Sequence, residues 1–315
     1  MRPGQLSFLE PPEPSGDVRL SAPLDARSPL RRAITAFHEH LLAEGRSSNT
    51  VRAFDSDLRL FQRYIGPRVV IGHIRYADLY GFLRWLRHGR GVPCNDKSLA
   101  RRITTLKVFY GWLAASKVVA QNPAAQLEHP HVDTPLPRVL SAAEVSQLLS
   151  ATEALRRDPQ SPDARPHLLA TLLLTTGLKK SECMALTPAD IDTTETEGVT
   201  LFVRYDSARK RHKERRLRLP PGFDTLVDEY KSQYRPVSHL FECTARNLEY
   251  VLDTASRRAG LPPRRACFEV LRYTCALRDL RNGMEPERLR LKLGISDITW
   301  ADTLERLQRL NTPVL

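Results

Sequence analysis

Two short stretches look like the ends of an active site. In "EVLRYT" (residues 269–274), Arg272 follows Glu269 by three positions and Tyr273 adjoins it. In "LKLGISDITWADTL" (residues 291–304), a Leu-Gly turn leads into Ile295, with Ser296, Thr299, Thr303 and Leu304 behind it. Both read as ends of an active site whose working side chains are replaced. A guanidinium is present, but no histidine stands before it and no tyrosine lies beyond Tyr273. Tyr273 is one residue from Arg272, about 100° away on a helix, so packing or a backbone contact is expected of it. Ser296, Thr299 and Thr303 have no neighbouring base in the sequence and read as caps or surface residues.

The remaining cations cluster. Residues 204–218 contain eight Lys/Arg against Asp206 and Glu214, residues 97–107 contain Lys97, Arg101, Arg102 and Lys107 with no acid, and residues 264–292 contain eight Lys/Arg against four acids. The formal net charge is +12 over 315 residues. A solvated helix face accounts for any one cluster. Three clusters on separate elements fit a protein that tracks phosphates, because each neutralised phosphate releases condensed counterion. Double-stranded DNA is therefore the expected partner.

The elements that must position these residues are mostly helical. "SPLRRAITAFHEHLLAEG" reads as a helix with Ser28 as N-cap, Pro29 at its first position and Gly45 beyond its end. "SSNTVRAFDSDLRLFQRYIG", residues 76–87 and "KSLARRITTLKVFYGWLAAS" continue the 3.6-residue period. In the second half, Ser141 and Glu144 form a capping box, "PHLLATLLLTTG" is an apolar helix stopped by Gly177, and "GVTLFVRYD" with "RRLRLP" makes a β-hairpin. From Pro221 to Leu310 the pattern is again helical outside a loop at 260–265. The expected fold class is mainly α with a small antiparallel β-sheet. The expected domains are a flexible Pro-rich tail at 1–26, a helical domain at 27–120, an exposed linker at 121–138 and a second domain at 139–315.

Hydrophobic residues are 41% and charged residues 27%, which fits packed domains. Five cysteines without a CxxC pair read as reduced, mostly buried thiols, with no metal site and no cofactor. The start has no apolar signal core, and "LLATLLL" is far short of the ~20 residues a membrane span needs. A cytoplasmic, nucleoid-associated bacterial protein with no membrane partner is expected.

The order and spacing of "SSNTVRAFDSDLRLF", "KSLARRITTLKVFYGWL", "TTGLKKSECMALTPADID", "KRHKERRLRLP", "EVLRYT" and "LKLGISDIT" resembles the tyrosine recombinases. This is the phage-integrase family that includes the Xer-type chromosome resolvases. The resemblance covers about 28–310. It implies a SAM-like core-binding domain followed by a catalytic-fold domain. Such enzymes cleave DNA without a metal: a tyrosine attacks the scissile phosphate, two arginines and a His or Trp stabilise the phosphoryl charge, a hairpin lysine protonates the leaving oxygen, and a His assists proton transfer.

Carried over position by position, the resemblance puts Lys179 in place of the first arginine, Lys210 at the hairpin lysine and Arg272 at the second arginine. It puts Glu269 in place of the proton-transfer His, Ile295 in place of the His/Trp and Leu304 in place of the nucleophilic tyrosine. Lys179, Lys210 and Arg272 are expected to meet at one phosphate. The DNA-binding residues are expected to be Lys97, Ser98, Arg101, Arg102 and Lys107 in the first domain and Arg209, Arg211 and Lys213 on the hairpin. The implied function is DNA binding in recombination or integration without strand cleavage, as an accessory subunit or a site-occupying regulator. The alternative is an active site-specific recombinase with a non-standard nucleophile. Leu304, Leu307 and Leu310 either dock on a neighbouring subunit (self-association, or an active tyrosine recombinase) or cover the chain's own core.

Overall fold

The computed structural model describes residues 23–66, 68–131, 135–194 and 198–312. Residues 1–22 of the expected tail and 132–134 of the expected linker lie outside that range. The chain divides into two compact units, Met1–Thr134 and Pro135–Leu315.

The first unit is built from α1 (Leu30–Ala43), α2 (Ser48–Ile65), α3 (Tyr76–Arg84) and α4 (Asp96–Ala115). Leu30, Ile34, Phe37 and Leu41 of α1 are buried, as are Leu99, Ile103, Leu106, Tyr110 and Leu113 of α4. Their i, i+3/i+4 spacing places them on one stripe per helix. Phe37 meets Phe109 edge-on at 5.3 Å, and Phe61 meets Phe82 at 5.1 Å. Ser47 and Asn95 cap α2 and α4, accepting from the backbone N–H groups of Thr50 and Ser98.

Two expectations shift here. Pro29, not Ser28, is the N-cap of α1. The backbone of 28–30 is committed to a bridge with the 69–71 segment, with Leu30 N–H on Val69 and Ile71 N–H on Ser28. The Ser28 hydroxyl turns back to Asp25 at 2.9 Å instead of capping. The linker also starts later than expected: Ala124 and Leu127 are buried in the first core, so residues 121–127 are not exposed chain.

The second unit contains α5 (Ala142–Arg156), α6 (Arg165–Thr176), α7 (Lys180–Ala185), β1 (Ile191–Asp192), β2 (Thr200–Val203), β3 (Arg215–Arg218), α8 (Phe223–Tyr234), α9 (Ala245–Arg258), α10 (Phe268–Arg281), α11 (Pro286–Leu293) and α12 (Asp297–Asn311). The sheet is antiparallel in the order β1-β2-β3, with Leu201 opposite Ile191 on one side and Leu217 on the other. Strand β1 was not expected, since two residues carry no readable period. Helix α6 is apolar all round and lies in the centre of the core. The Ser141–Glu144 capping box is formed, and Arg265 clamps the Glu144 carboxylate with two nitrogens at 2.7 and 2.9 Å.

Leu307 and Leu310 cover their own unit. Leu307 is fully buried, Leu310 packs in the same cluster against α10 and α11 residues, and Arg281 holds the end of α12 through Leu310 O and Asn311. Of the two expectations for that segment, docking in cis is the one observed. All five cysteines are free, with Cys183 and Cys275 buried and the other three half-buried. Among the described residues no helix is long and apolar enough to cross a membrane.

Candidate functional site

Lys179 is placed by a sharp stop. Helix α6 ends at Gly177, which adopts φ +64°. A Cβ there would lie 2.7 Å from Leu293 Cδ2, so the turn needs glycine on both counts. The chain then enters α7 with Lys179 at its N-cap, where the Glu182 carboxylate accepts the Lys179 backbone N–H at 2.9 Å. Helix α11 ends in the same way at Gly294, with φ +58° and an Arg215 nitrogen 2.6 Å from where a Cβ would sit.

These two glycine turns are tied to each other by cations. Arg272 on α10 donates one terminal nitrogen to Gly177 O and the other to Leu293 O, the latter at 2.7 Å. Lys179 Nζ donates to Gly294 O at 2.7 Å and lies 3.8 Å from Glu182. Arg215 on β3 pairs with Glu182 at 3.2 and 2.9 Å and donates Nε to Lys292 O at 2.7 Å. The side chains of Arg215 and Glu182 are 8% and 1% exposed, so this is a buried ion pair with its donors and acceptors matched. Tyr205 completes it by donating its hydroxyl to Glu182.

The result is a pocket of about 280 Å³. Lys179, Lys213 and Arg272 supply its charge, and Tyr273, Ser296, Thr299 and Thr303 its hydroxyls. Leu293, Ile295 and Ala276 form the apolar side. Burial lowers the Lys179 pKa to about 8; Glu182 works against this, while Arg272, Lys213 and Arg215 reinforce it. Burial also lowers the Arg272 pKa. Burial works to raise Glu182, but the hydrogen-bonded charge of Arg215 outweighs it and the carboxyl is lowered. A site whose cations repel one another around an open volume is electrostatically suited to an anion.

Lys179 and Arg272 thus come together as expected, but Lys210 is not among the residues lining the pocket. It sits exposed on the short 3₁₀ turn Ala208–Lys213 that joins β2 to β3, its Nζ 5.9 Å from the Tyr205 ring centre. Lys213, three residues on and half-buried, is the hairpin lysine that reaches the pocket. In a 3₁₀ turn side chains three apart lie on the same side, so Lys210 and Lys213 differ in their height along the turn and not in direction, and counting along the sequence does not select the one that reaches the pocket. Ile295 faces the pocket, whereas Leu304 is not among the lining residues; Thr303 beside it is, and its hydroxyl donates to Thr299 O at 2.8 Å. Tyr273, expected to pack or to touch the DNA backbone, lines the pocket as well.

A second, wider groove of about 990 Å³ adjoins the first and shares Lys179, Arg272 and Tyr273 with it. Glu269 lies on its wall and is exposed. Arg138, Lys180, Arg246, Arg257 and Arg264 add positive charge. Lys180 is paired with Glu249 at 2.7 Å and Arg257 with Asp253 at 2.7 Å, while Arg246 donates to the hydroxyl of the exposed Tyr250. Acids and bases alternate along this face of α9, so no net cluster marks it in the sequence.

In the first unit, Lys97 is exposed and Ser98 and Lys107 are half-buried at α4. Arg101 and Arg102 both pair with one buried acid, although the Arg101 side chain stays 42% exposed. Asp57, 5% exposed on α2, takes Arg101 at 2.5 Å, Arg102 at 3.4 Å and the Thr105 hydroxyl at 3.0 Å. Arg102 is only 13% exposed and also touches Cys94 Sγ at 2.5 Å. It braces α4 on α2, which removes it from the residues free to meet a phosphate. Arg209 and Arg211 are exposed on the hairpin turn.

The chain was compared with known proteins. Residues 34–117 match the model of the phage integrase N-terminal SAM-like domain. The XerD tyrosine recombinase of Rickettsia conorii is 26% identical over 293 residues, covering 87% of this chain and 94% of that protein. The XerC tyrosine recombinase of Roseiflexus castenholzii is 32% identical over 171 residues, covering 53% of this chain and 52% of its own. In fold, the chain is similar to a lambda integrase dimer bound to a COC′ core site (TM-score 0.65, 16% identity, 87% of this chain and 77% of that one). It is also similar to the Tn1549 transposon integrase in complex with a circular intermediate DNA (TM-score 0.66, 17% identity, 87% and 94%). A first unit that matches the SAM-like model, a likeness to XerD along most of both chains and a shared fold agree: this chain is similar to the tyrosine recombinases and phage integrases.

Proposed function

We propose that the protein binds duplex DNA in a recombination or integration process and seats a backbone phosphate in the Lys179–Lys213–Arg272 pocket without cutting it. The observation that carries this reading is the composition of the pocket. It keeps three converging cations, yet presents Ile295 and threonine hydroxyls from α11–α12, and Leu304 is not among its lining. Ile295 has no hydrogen to donate to a phosphoryl oxygen, and removing one such donor costs about 10²–10³ in rate. Lys179 brings charge without the planar fork of an arginine. The alkyl group of Leu304 cannot attack phosphorus. Lys97, Ser98 and Lys107 on α4, with Arg209 and Arg211 on the hairpin turn, extend the contact along the DNA backbone. An accessory subunit of an active recombinase or a regulator that occupies its site fits this chemistry.

A second reading, an active recombinase with a non-standard nucleophile, draws on one feature: Tyr273 lines the same pocket as the three cations. The nearby Tyr205 is a poorer candidate, since burial and then its hydrogen bond to Glu182 push its pKa up to about 12.

One experiment separates the two. Duplexes selected for binding at physiological salt are remade with a nick beside the bound site, so that any cleavage is trapped, and the mixture is denatured in detergent. Sequence-selective retention with no covalent adduct is the expected result. An adduct that disappears in Tyr273→Phe and persists in Leu304→Ala establishes the enzyme instead.

A further inference from the structure

Lys179 stands in its pocket without a counter-charge of its own. The carboxylate beside it, Glu182 at 3.8 Å, accepts from Arg215 at 2.9 and 3.2 Å, from the Tyr205 hydroxyl and from the Lys179 backbone N–H at 2.9 Å. Its oxygens are spent on that frame. Arg272 on α10, Lys213 on the hairpin turn and Arg215 on β3 repel the Lys179 ammonium, and burial adds to the effect, so the amine titrates at about 8. The amine Nζ donates to Gly294 O at 2.7 Å. A neutral amine still makes that bond and leaves its lone pair unused. The position is also open. Lys179, Arg272 and Tyr273 line both the pocket and the wider groove, and the Lys179 side chain is 35% exposed. A partly desolvated lysine beside other cations is the form in which lysine attacks a carbonyl carbon. An arginine, which stays protonated, could not do so.

We infer that Lys179 forms an imine with the aldehyde of an abasic deoxyribose in DNA, an inference that rests on the reading of this pocket as the seat of a backbone phosphate. A deoxyribose that has lost its base opens to an aldehyde at C1′, beside its own phosphates. The Lys179 lone pair adds to that carbon. The carbonyl oxygen leaves as water with the two protons of the neutral amine, and a C=N bond replaces C=O; nothing is oxidised or reduced. Once protonated, the imine carries the positive charge that a phosphate held by Arg272 and Lys213 pairs with, so the same seat holds the adduct. A sugar without a base leaves the duplex at little cost, since it has no stacking or pairing to give up. The pocket, at about 280 Å³, lies at the lower end of ligand pockets and suits a sugar with its phosphate.

The test incubates the full chain with a duplex carrying one abasic site and with the intact duplex, in the presence of cyanoborohydride, which reduces an imine to a stable secondary amine. Retention of each duplex is measured alongside, and the adduct is read on a denaturing gel and by peptide mass mapping. The expected result is an adduct with the abasic duplex alone, mapped to Lys179. Lys179→Arg keeps the charge and should retain the intact duplex while losing the adduct at least about tenfold. Lys231→Arg, on α8, should leave the yield unchanged. Deoxyribose 5-phosphate offered free should modify Lys179 at most about a tenth as well, because it lacks the flanking phosphates that add binding. Retention of the intact duplex with no adduct, or an adduct that survives in Lys179→Arg, overturns this inference and leaves the DNA reading standing. Equal modification by the free sugar phosphate overturns DNA as the source of the aldehyde. Failure to retain either duplex overturns the DNA reading itself, and this inference with it.

Discussion

The two sides of the Lys179 pocket differ in kind. One side, from α7, β3 and α10, is a matched electrostatic frame: the buried Glu182–Arg215 pair, the Tyr205 hydroxyl upon it, and Arg272 holding Gly177 O and Leu293 O. The other side, from the end of α11 and α12, is alkyl groups and hydroxyls that bond their own helix backbone, such as Thr303 on Thr299 O. The frame costs desolvation energy and is held together only because every charge in it has a partner. The lining of the pocket includes no imidazole, indole or carboxylate on that side. On the proposed reading, holding a phosphate and cutting it are separable in this fold, because the first needs fixed positive charge and the second needs particular groups on a different helix.

The sharpest way to break that comparison is to remove the frame's anion. Glu182→Ala leaves Arg215 buried without a counter-charge and should cost about 3–5 kcal/mol. The urea midpoint reads the loss, and Leu304→Ala, on the opposite side and half-buried, should cost visibly less. If the two losses are equal, the frame is not special.

Next in size is the pocket's charge. Lys179→Gln should weaken DNA binding by about 1–3 kcal/mol and reduce the salt slope by about one. The same residue gives a pH signature. The free-state pKa is about 8, and a phosphate beside it raises that value. Affinity is therefore full below pH 8 and falls as pH rises between the free and bound values. Titration calorimetry from pH 7 to 9 should show this slope in the native chain and a flat profile in Lys179→Gln.

Glu144 tests whether clamps far from the pocket behave as the frame does. Its hydrogen bonds from Arg265 lower its pKa from 4.5 to about 2. A depressed carboxylate stabilises the fold above pH 4.5 and loses that contribution as pH falls toward 2. With both side chains about one-fifth exposed, solvent screening leaves about 1–2 kcal/mol. Urea unfolding at pH 6 and pH 3 should show the difference, and Glu144→Gln should abolish it. Smallest of all is the hairpin contrast: Lys213→Ala should weaken DNA binding by about 1 kcal/mol, and the solvated Lys210→Ala by about half of that.

What the sequence determined is what depends on local period and local chemistry. The helical stripes of α1, α2 and α4, the Ser141–Glu144 box, the Gly177 stop and the β2–β3 hairpin follow from spacing and from backbone rules that act over a few residues. The order of motifs along the chain was enough for the resemblance to the tyrosine recombinases. The tertiary structure decided what depends on which part of a turn lies near the core and on who else is there. It selected Lys213 over Lys210 and turned Tyr273 toward the pocket. It spent Arg102 on the buried Asp57, and folded Leu307 and Leu310 onto their own unit. A side chain's charge is written in the sequence, but its availability is set by partners up to a hundred residues away, as Glu182 and Arg215 are for each other and Arg272 and Gly177 are across α6 and α10. Those long-range pairings form only when the cores close, which is why no local pattern announces them.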